Sequence, residues 1–295
     1  MTHGKDGMHS VNQSKHSEHS KRSELSELSR QETPLTFYEG KWVATNRTTR
    51  SLKNFIVKKE RFFLKEMAAH RGLILDIGCG GGWSFFTLFD GVVGLDLSHP
   101  SLVNALDIYS SGVQGSSLKL PFQDESFDYV VSLDVLGHIH EDYKEQLLSE
   151  FFRVLKRGGS TLHYIETLSN DPISRFGRKY PDLNEKYIVA PEGHIGAEPP
   201  AVVFERFRSA GFVPVREEPC YKGFIYIDRF VQYFDNEFAE QSRLVKTLVQ
   251  LFKPITNHRL LTLGANLFIT LLFELCDPLL PDDWAGGALV HYQKP

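Results

Sequence analysis

The chain has 295 residues, 41% of them hydrophobic, with 33 Lys and Arg against 37 Asp and Glu for a formal net charge of −4. That length and apolar share describe a packed globular protein of one large domain, or one domain carrying an insertion. The acid excess argues against a general affinity for polyanions, so no nucleic acid is expected as a partner.

Residues 1–33 are rich in Ser, His, Lys and Glu, balance their charges and nearly lack apolar residues. Such a segment buries too little surface to offset its ordering entropy, which predicts a disordered tail without a secretory signal. Residues 34–70 are expected to form an N-terminal helical segment. Over 50–70 its apolar face comprises Leu52, Phe55, Ile56, Phe62, Phe63 and Met67. From residue 71 to 295 strands and helices alternate. Strands are predicted at 73–77, 92–96, 113–116 (weakly patterned), 127–133, 160–166, 212–216 and 288–293. Helices are predicted at 141–156, closed by Gly158 and Gly159, and at 201–210. The alternation implies an α/β fold: a doubly wound, mostly parallel seven-stranded sheet with helices on both faces.

Residues 218–286 read as a helical insertion before the last strand. Its first part is aromatic (Tyr221, Phe224, Tyr226, Phe230, Tyr233, Phe234 and Phe238), and its second, Leu260 to Phe273, carries no charge. Fourteen residues are short for a bilayer span, so a buried or interfacial helix is expected, with peripheral membrane contact through 260–280 as one outcome. Thr262, Asn266 and Thr270 form a polar stripe on it at i, i+4 spacing. The insertion is expected to act as a lid over an apolar acceptor.

The first strand runs into Asp76-Ile-Gly-Cys-Gly-Gly-Gly82, and the second ends at Asp96. A buried strand, a glycine turn that admits a ligand against the backbone, and an acid about twenty residues on form a nucleoside-binding device. A dinucleotide site usually spaces its glycines as G-x-G-x-x-G. Here Gly78, Gly80 and Gly82 give G-x-G-x-G behind Asp76. An acid at that point suits a ligand with a cationic end, such as S-adenosylmethionine, better than a pyrophosphate. Ligands of such sheets lie beyond the carboxyl ends of the strands, a rule that gathers Asp76, Asp96, Ser116, Asp134 and Glu166 on one rim, with His138 just after strand four.

Five ordered segments carry a family resemblance: Leu75-Asp-Ile-Gly-Cys-Gly-Gly-Gly82, Gly94-Leu-Asp-Leu-Ser98, Leu120-Pro-Phe-Gln-Asp-Glu-Ser-Phe-Asp128, Val131-Ser-Leu-Asp-Val-Leu-Gly-His138 and Arg153-Val-Leu-Lys-Arg-Gly-Gly159. Over about 71–217 and the final strand the chain resembles the class I, Rossmann-like S-adenosylmethionine-dependent methyltransferases of the small-molecule group called type 11. The resemblance implies that Asp76, Gly78 and Gly80 surround the methionine part of the cofactor, that Asp96 holds the ribose and that Leu97 packs on adenine. It places Ser116, within Gly115-Ser-Ser117, at the adenine amino group, where the family often has an acid. It also puts Gly137 where the family often has Glu, and Asp134 beside the methionine end.

Methyl transfer to a hydroxyl needs a base that titrates near the working pH, so His138 and His194 are the candidate catalytic residues. Glu166 is a candidate acceptor contact. The expected reaction is transfer of a methyl group from S-adenosylmethionine to a small, apolar or lipid-like acceptor. An NAD-dependent oxidoreductase and a non-catalytic cofactor-binding module stay open as alternatives. Cys79, Cys220 and Cys276 are odd in number and widely spaced. With no metal-ligand or disulfide spacing, no metal is expected, and a reducing cytoplasm is the expected compartment, with membrane association through 260–280 the variant of it.

Overall fold

The computed structural model describes Val43 and residues 58–69, 71–223 and 225–295. The expected tail, the segment up to residue 57 apart from Val43, and Phe224 lie outside the described residues.

The strands are β1 (Ile74–Ile77), β2 (Val92–Asp96), β3 (Ser111–Gln114), β4 (Phe127–Leu133), β5 (Leu155–Glu166), β6 (Val213–Lys222) and β7 (Ala285–Gln293). They form one sheet in the order β3-β2-β1-β4-β5-β7-β6. The first five pair in parallel, and β7 inserts antiparallel between β5 and β6. All four residues of β1 are buried, as a strand covered on both faces requires. Strand order reverses beside β1, because β2 leaves on one side and β4 on the other. Loops diverging from such a switch point open a crevice for ligand.

Helix α1 (Lys58–Glu66) covers one face of the sheet with Phe62, Phe63 and Met67, packed against Trp83, Phe86 and Tyr109. Helix α2 (His99–Ala105) follows β2, its Ser98 cap accepting the Ser101 N–H. The opposite face is covered by α3 (Lys144–Val154), through Leu147, Leu148, Phe151 and Val154, and by α4 (Pro200–Ser209), through Val203 and Phe207.

Several boundaries differ from the sequence expectation. Helix α3 ends at Val154, and Gly158 and Gly159 lie inside β5, because Leu155 already pairs with Phe127 of β4. Strand β3 lies two residues earlier than expected. Strand β6 runs on to Lys222, since Glu218, Cys220 and Lys222 pair with Leu289, Gly287 and Ala285. The insertion is therefore 223–284 rather than 218–286. It contains α5 (Ile227–Phe234), α6 (Glu237–Gln241), α7 (Arg243–Thr256) and α8 (Arg259–Cys276). Phe230, Phe234, Phe238, Val245 and Val249 form a third core, joined by Ile173, Phe176 and Tyr180 from the segment after β5. That segment, with helices at Pro172–Arg178 and Pro181–Asn184, has no counterpart in the sequence reading. The cap is thus built from two stretches of chain.

Lys144, at the start of α3, is 1% exposed. Its Nζ donates to Glu198 Oε2 at 2.7 Å and also to the Gly196 carbonyl, and Arg206 of α4 holds the other side of Glu198. This pins residues 194–198 against the sheet rim. Replacing Lys144 with Met leaves Glu198 with one cationic partner. We expect a loss of about 3 kcal/mol, the low end of the range for halving a buried pair, because Arg206 remains. Urea unfolding checks this, and an unchanged midpoint would show that the pin is dispensable.

Candidate active site

A cavity of about 290 Å³ opens at the switch point. Its wall includes Asp76, residues 78–83, Leu95, Asp96, Leu97, Gly115 and Ser117, then Leu133, Asp134, Val135, His138, Ile139, Tyr164, Glu166 and Lys59.

At one end the glycine loop bends back on β2. Gly78 has φ +63°, and a Cβ there would stand 2.4 Å from Val135 Cγ2, so only glycine passes between β1 and the β4 loop. Asp96 accepts the Gly80 N–H through Oδ2 and the Ser98 N–H through Oδ1, both at 2.8 Å. Each carboxylate oxygen retains a lone pair for a ligand hydroxyl. Burial pushes the Asp96 carboxyl up, with the backbone donors opposing. Ser117 reaches the cavity wall beside Gly115, whereas the Ser116 hydroxyl accepts the Leu118 N–H at 3.1 Å within its own turn. The residue expected at an adenine amino group thus makes a bond within its own turn, and its neighbour Ser117 lines the wall.

Asp76 is buried, and its Oδ2 accepts the Tyr109 hydroxyl at 2.6 Å, while the Trp83 N–H donates to that hydroxyl at 2.9 Å. Burial, with a smaller push from the Asp96 charge, outweighs the Tyr109 bond and raises the Asp76 carboxyl to about 7. Tyr109 was invisible to sequence reasoning: an aromatic residue just after a helix carries no pattern of its own.

At the other end three loops converge. Asp134 has φ +61°, a conformation uncommon outside glycine, and its backbone N–H donates to the Tyr164 carbonyl of β5 at 2.8 Å. Its Oδ2 faces His194 Nε2 at 3.4 Å, and Glu166 Oε2 lies 2.7 Å from His194 Nδ1. Asp134 Oδ1 is buried and is the one such side-chain atom without a hydrogen-bond partner among the described residues. The His138 and His194 ring centroids are 4.7 Å apart, and His138 Nδ1 lies 2.9 Å from the Gly193 carbonyl. The two histidine loops touch backbone to backbone. The Gly196 N–H donates to the Gly137 carbonyl at 2.9 Å, and a Cβ on Gly196 would lie 1.7 Å from the Ile139 carbonyl oxygen.

The two candidate bases are chemically distinct. Burial lowers the proton affinity of His194, but its bonds to Asp134 and Glu166 overcome this and raise it to about 10. That favours the imidazolium at neutral pH, a form in which neither ring nitrogen has a lone pair to accept a proton. A carbonyl only accepts, so His138 Nδ1 carries the hydrogen and Nε2 is the basic nitrogen of the neutral ring. Burial also pushes both carboxyls up. For Asp134 the His194 bond and charge prevail and hold it below its ordinary value, whereas Glu166, facing the Asp134 charge, is raised.

Sequence spacing shows no metal-ligand cluster, yet the fold brings donor atoms of Asp134, His138 and His194 within 4.8 Å of one another. Both nitrogens of His194 face carboxylates, an arrangement that favours the protonated ring over a ligating one. The cap reaches this end too. Glu192 Oε1 accepts Arg229 of α5 at 2.5 Å and the Tyr233 hydroxyl at 3.1 Å, and the Glu166 charge acts on both Arg229 and Tyr233.

Residues 75–162 match the methyltransferase domain family. A putative methyltransferase of Encephalitozoon cuniculi is 35% identical over 131 residues, 44% of this chain and 61% of that protein. A demethylmenaquinone methyltransferase of Listeria monocytogenes is 29% identical over 54% of this chain and 78% of its own length. A tRNA (carboxymethyluridine(34)-5-O)-methyltransferase of Arabidopsis thaliana is 29% identical over 39% of this chain and 29% of its own length. The chain spans less than two thirds of the Encephalitozoon and Arabidopsis proteins. Among solved structures, phosphoethanolamine N-methyltransferase 2 of Haemonchus contortus in complex with S-adenosyl-L-methionine shares the fold. Its TM-score is 0.50 at 19% identity, over 93% of this chain and 60% of that one. Residues 75–162 thus match a methyltransferase domain, and the sheet that carries them has the class I, Rossmann-like methyltransferase fold.

Proposed function

We propose that the protein methylates a small, apolar or lipid-like acceptor that enters at the Asp134–His138–Glu166 end of the cavity. The observation that carries this reading is the continuity of one cavity from the Asp96 carboxylate to His138 and Tyr164, with the aromatic cap tied through Glu192 to the loop of His194. The residues fit the cofactor: a buried acid at the glycine loop, a second acid with spare lone pairs, and Leu97 for a flat apolar ring. When bound, S-adenosylmethionine supplies an electrophilic methyl group and departs as a neutral thioether.

The chain's own residues do the rest. Asp96 and the glycine loop hold the nucleoside, and Asp76 faces the cationic end. Tyr164, Trp83 and the stem of Lys59 give the acceptor an apolar wall. Where the acceptor atom is a hydroxyl, His138 Nε2 takes its proton. The imidazolium of His194 neutralises Asp134 and keeps it from competing for that proton. The likeness to the Listeria enzyme, named for a quinone acceptor, supports the lipid-like class. The Arabidopsis enzyme, named for tRNA, represents the competing one.

Purified protein is incubated with methyl-labelled S-adenosylmethionine and total cell extract, and the label is followed into organic, aqueous and RNA fractions. Label in the organic fraction is expected. Label released by ribonuclease would reject the small-molecule reading, and tight NAD binding without S-adenosylmethionine binding would reject methyl transfer altogether. His138→Gln should lower kcat roughly a hundredfold for a hydroxyl acceptor with cofactor affinity unchanged. Full activity in that variant removes the assigned base.

Cofactor binding should depend on pH through Asp76. A cationic ligand favours the ionised acid, so below about 7 a proton must leave on binding. Affinity measured by calorimetry should rise from pH 6 to pH 8, changing by up to roughly tenfold per unit below the Asp76 pKa. Asp76→Asn should bind weakly at every pH, and a profile of wild-type slope in that variant would assign the titration elsewhere.

A further inference from the structure

Helix α8 has its polarity reversed. Its polar stripe faces the protein: Asn266 Oδ1 accepts the Ile227 N–H at 3.1 Å, Asn266 Nδ2 donates to Asp228 Oδ1 at 2.9 Å, and Thr262 Oγ1 donates to the Ile255 carbonyl at 3.0 Å. Leu260, Leu263, Leu267, Phe268, Leu271 and Leu275 point outward, with Leu260 82%, Phe268 66% and Leu275 77% exposed. None of the helix's residues is fully buried, and 6% of its most apolar 18-residue window is covered. Sequence reasoning allowed a buried helix or an interfacial one, and the structure removes the first. A continuous apolar face of this kind marks an interaction surface.

Length and composition would let residues 259–279 cross a bilayer. The attachments of the helix argue otherwise. Its start is bonded to the end of α7, and beyond its end Asp277 accepts the Lys222 N–H at 2.9 Å and pairs with Lys58 at 2.5 Å. Both ends are fixed to one globule, so the helix lies along the surface. From Arg243 to Phe273 the chain has four basic residues, Arg243, Lys246, Lys253 and Arg259, and no acid, in a protein of net charge −4. Arg243, Lys246 and Arg259 are exposed, and Lys253 pairs with Asp235 at 2.6 Å. Outward leucines beside an acid-free basic stretch match a membrane surface with anionic headgroups.

We infer that the protein docks on anionic membranes through the outward face of α8, with the basic residues of α7 and the start of α8 at headgroup level. The face is close to the site. Arg61 of α1 pairs with Glu274 of α8 at 2.5 Å, and Lys59 of the same helix lines the cavity. Docking does not require the acceptor to be a lipid, and its test is independent of turnover.

The full chain is floated with vesicles of phosphatidylcholine alone and of phosphatidylcholine with roughly a quarter phosphatidylglycerol. Binding to the mixed vesicles, about tenfold stronger than to the neutral ones, is expected. The double variant Phe268→Glu, Leu271→Glu should lose at least roughly tenfold in binding, with circular dichroism and thermal unfolding unchanged because both side chains point into solvent. Lys246→Glu with Arg259→Glu should erase the preference for phosphatidylglycerol. Absence of vesicle binding by the natural chain overturns the inference, as does unaltered binding by the leucine-face variant. So does a concentration-dependent dimer abolished by that variant without vesicle binding, which would make a second copy the occupant.

Discussion

The arrangement on which the acceptor end depends is one cation between two carboxyls: His194 between Asp134 and Glu166. Each group comes from a different place, the ends of β4 and β5 and a loop some thirty residues further on. A charge taken out of water costs several kcal/mol unless it is matched, so none of the three is stable there alone. The imidazolium holds the Asp134 carboxyl below its ordinary value, while burial and the Asp134 charge push the Glu166 carboxyl up. The left-handed backbone of Asp134 carries its own cost, which this pairing helps to offset. Gly196 lets the loop come close enough, and Lys144 with Glu198 fixes the stretch behind it.

Legibility in the sequence follows the distance over which information is encoded. Asp76, Gly78, Gly80 and Asp96 lie on two successive parallel strands and the loop between them, where spacing and residue type together state the geometry. The parallel order of the sheet was legible for the same reason, since buried strands and amphipathic helices alternate at regular intervals. Glu166 and His194 have no such spacing. Their meeting with Asp134 depends on the β4–β5 register and on a cap loop, and pattern alone made His194 a candidate base without showing the two carboxyls that raise its proton affinity. Tyr109 and the split origin of the cap went unseen because they rest on packing between segments whose separations follow no rule. The ends of β5 and β6 were misplaced because pairing with β4 and β7, rather than local composition, decides where they begin and stop.

The polar stripe of α8 shows the same limit at the scale of one helix. Its spacing was readable, but the direction it faces was not. An amphipathic helix ordinarily turns its apolar side inward. Here Asn266 finds partners at Ile227 and Asp228, 38 or more residues away, and those bonds rotate the leucines outward. Two hydrogen bonds are weak against the burial of six large side chains. The orientation therefore holds only if the cap core is already filled, and it is: Phe230, Phe234, Phe238, Val245 and Val249 pack with residues 173–188. The leucines have no vacancy to enter.

Cap, site and outer face are thereby mechanically linked. Glu192 fastens α5 to the loop of Gly193 and His194, while Arg61 and Lys58 fasten α1 to the end of α8 and to Asp277. Force applied to the outer face reaches the cavity by two routes, through α5 to His194 and through α1 to Lys59. The joints named on these routes are hydrogen bonds of Asn266 and ion pairs, some of them partly exposed and individually weak. Such joints break and re-form at small cost, so the cap is anchored at the rim yet able to separate from it. That combination suits a cavity whose acceptor must enter beside a cofactor site formed by the rigid sheet.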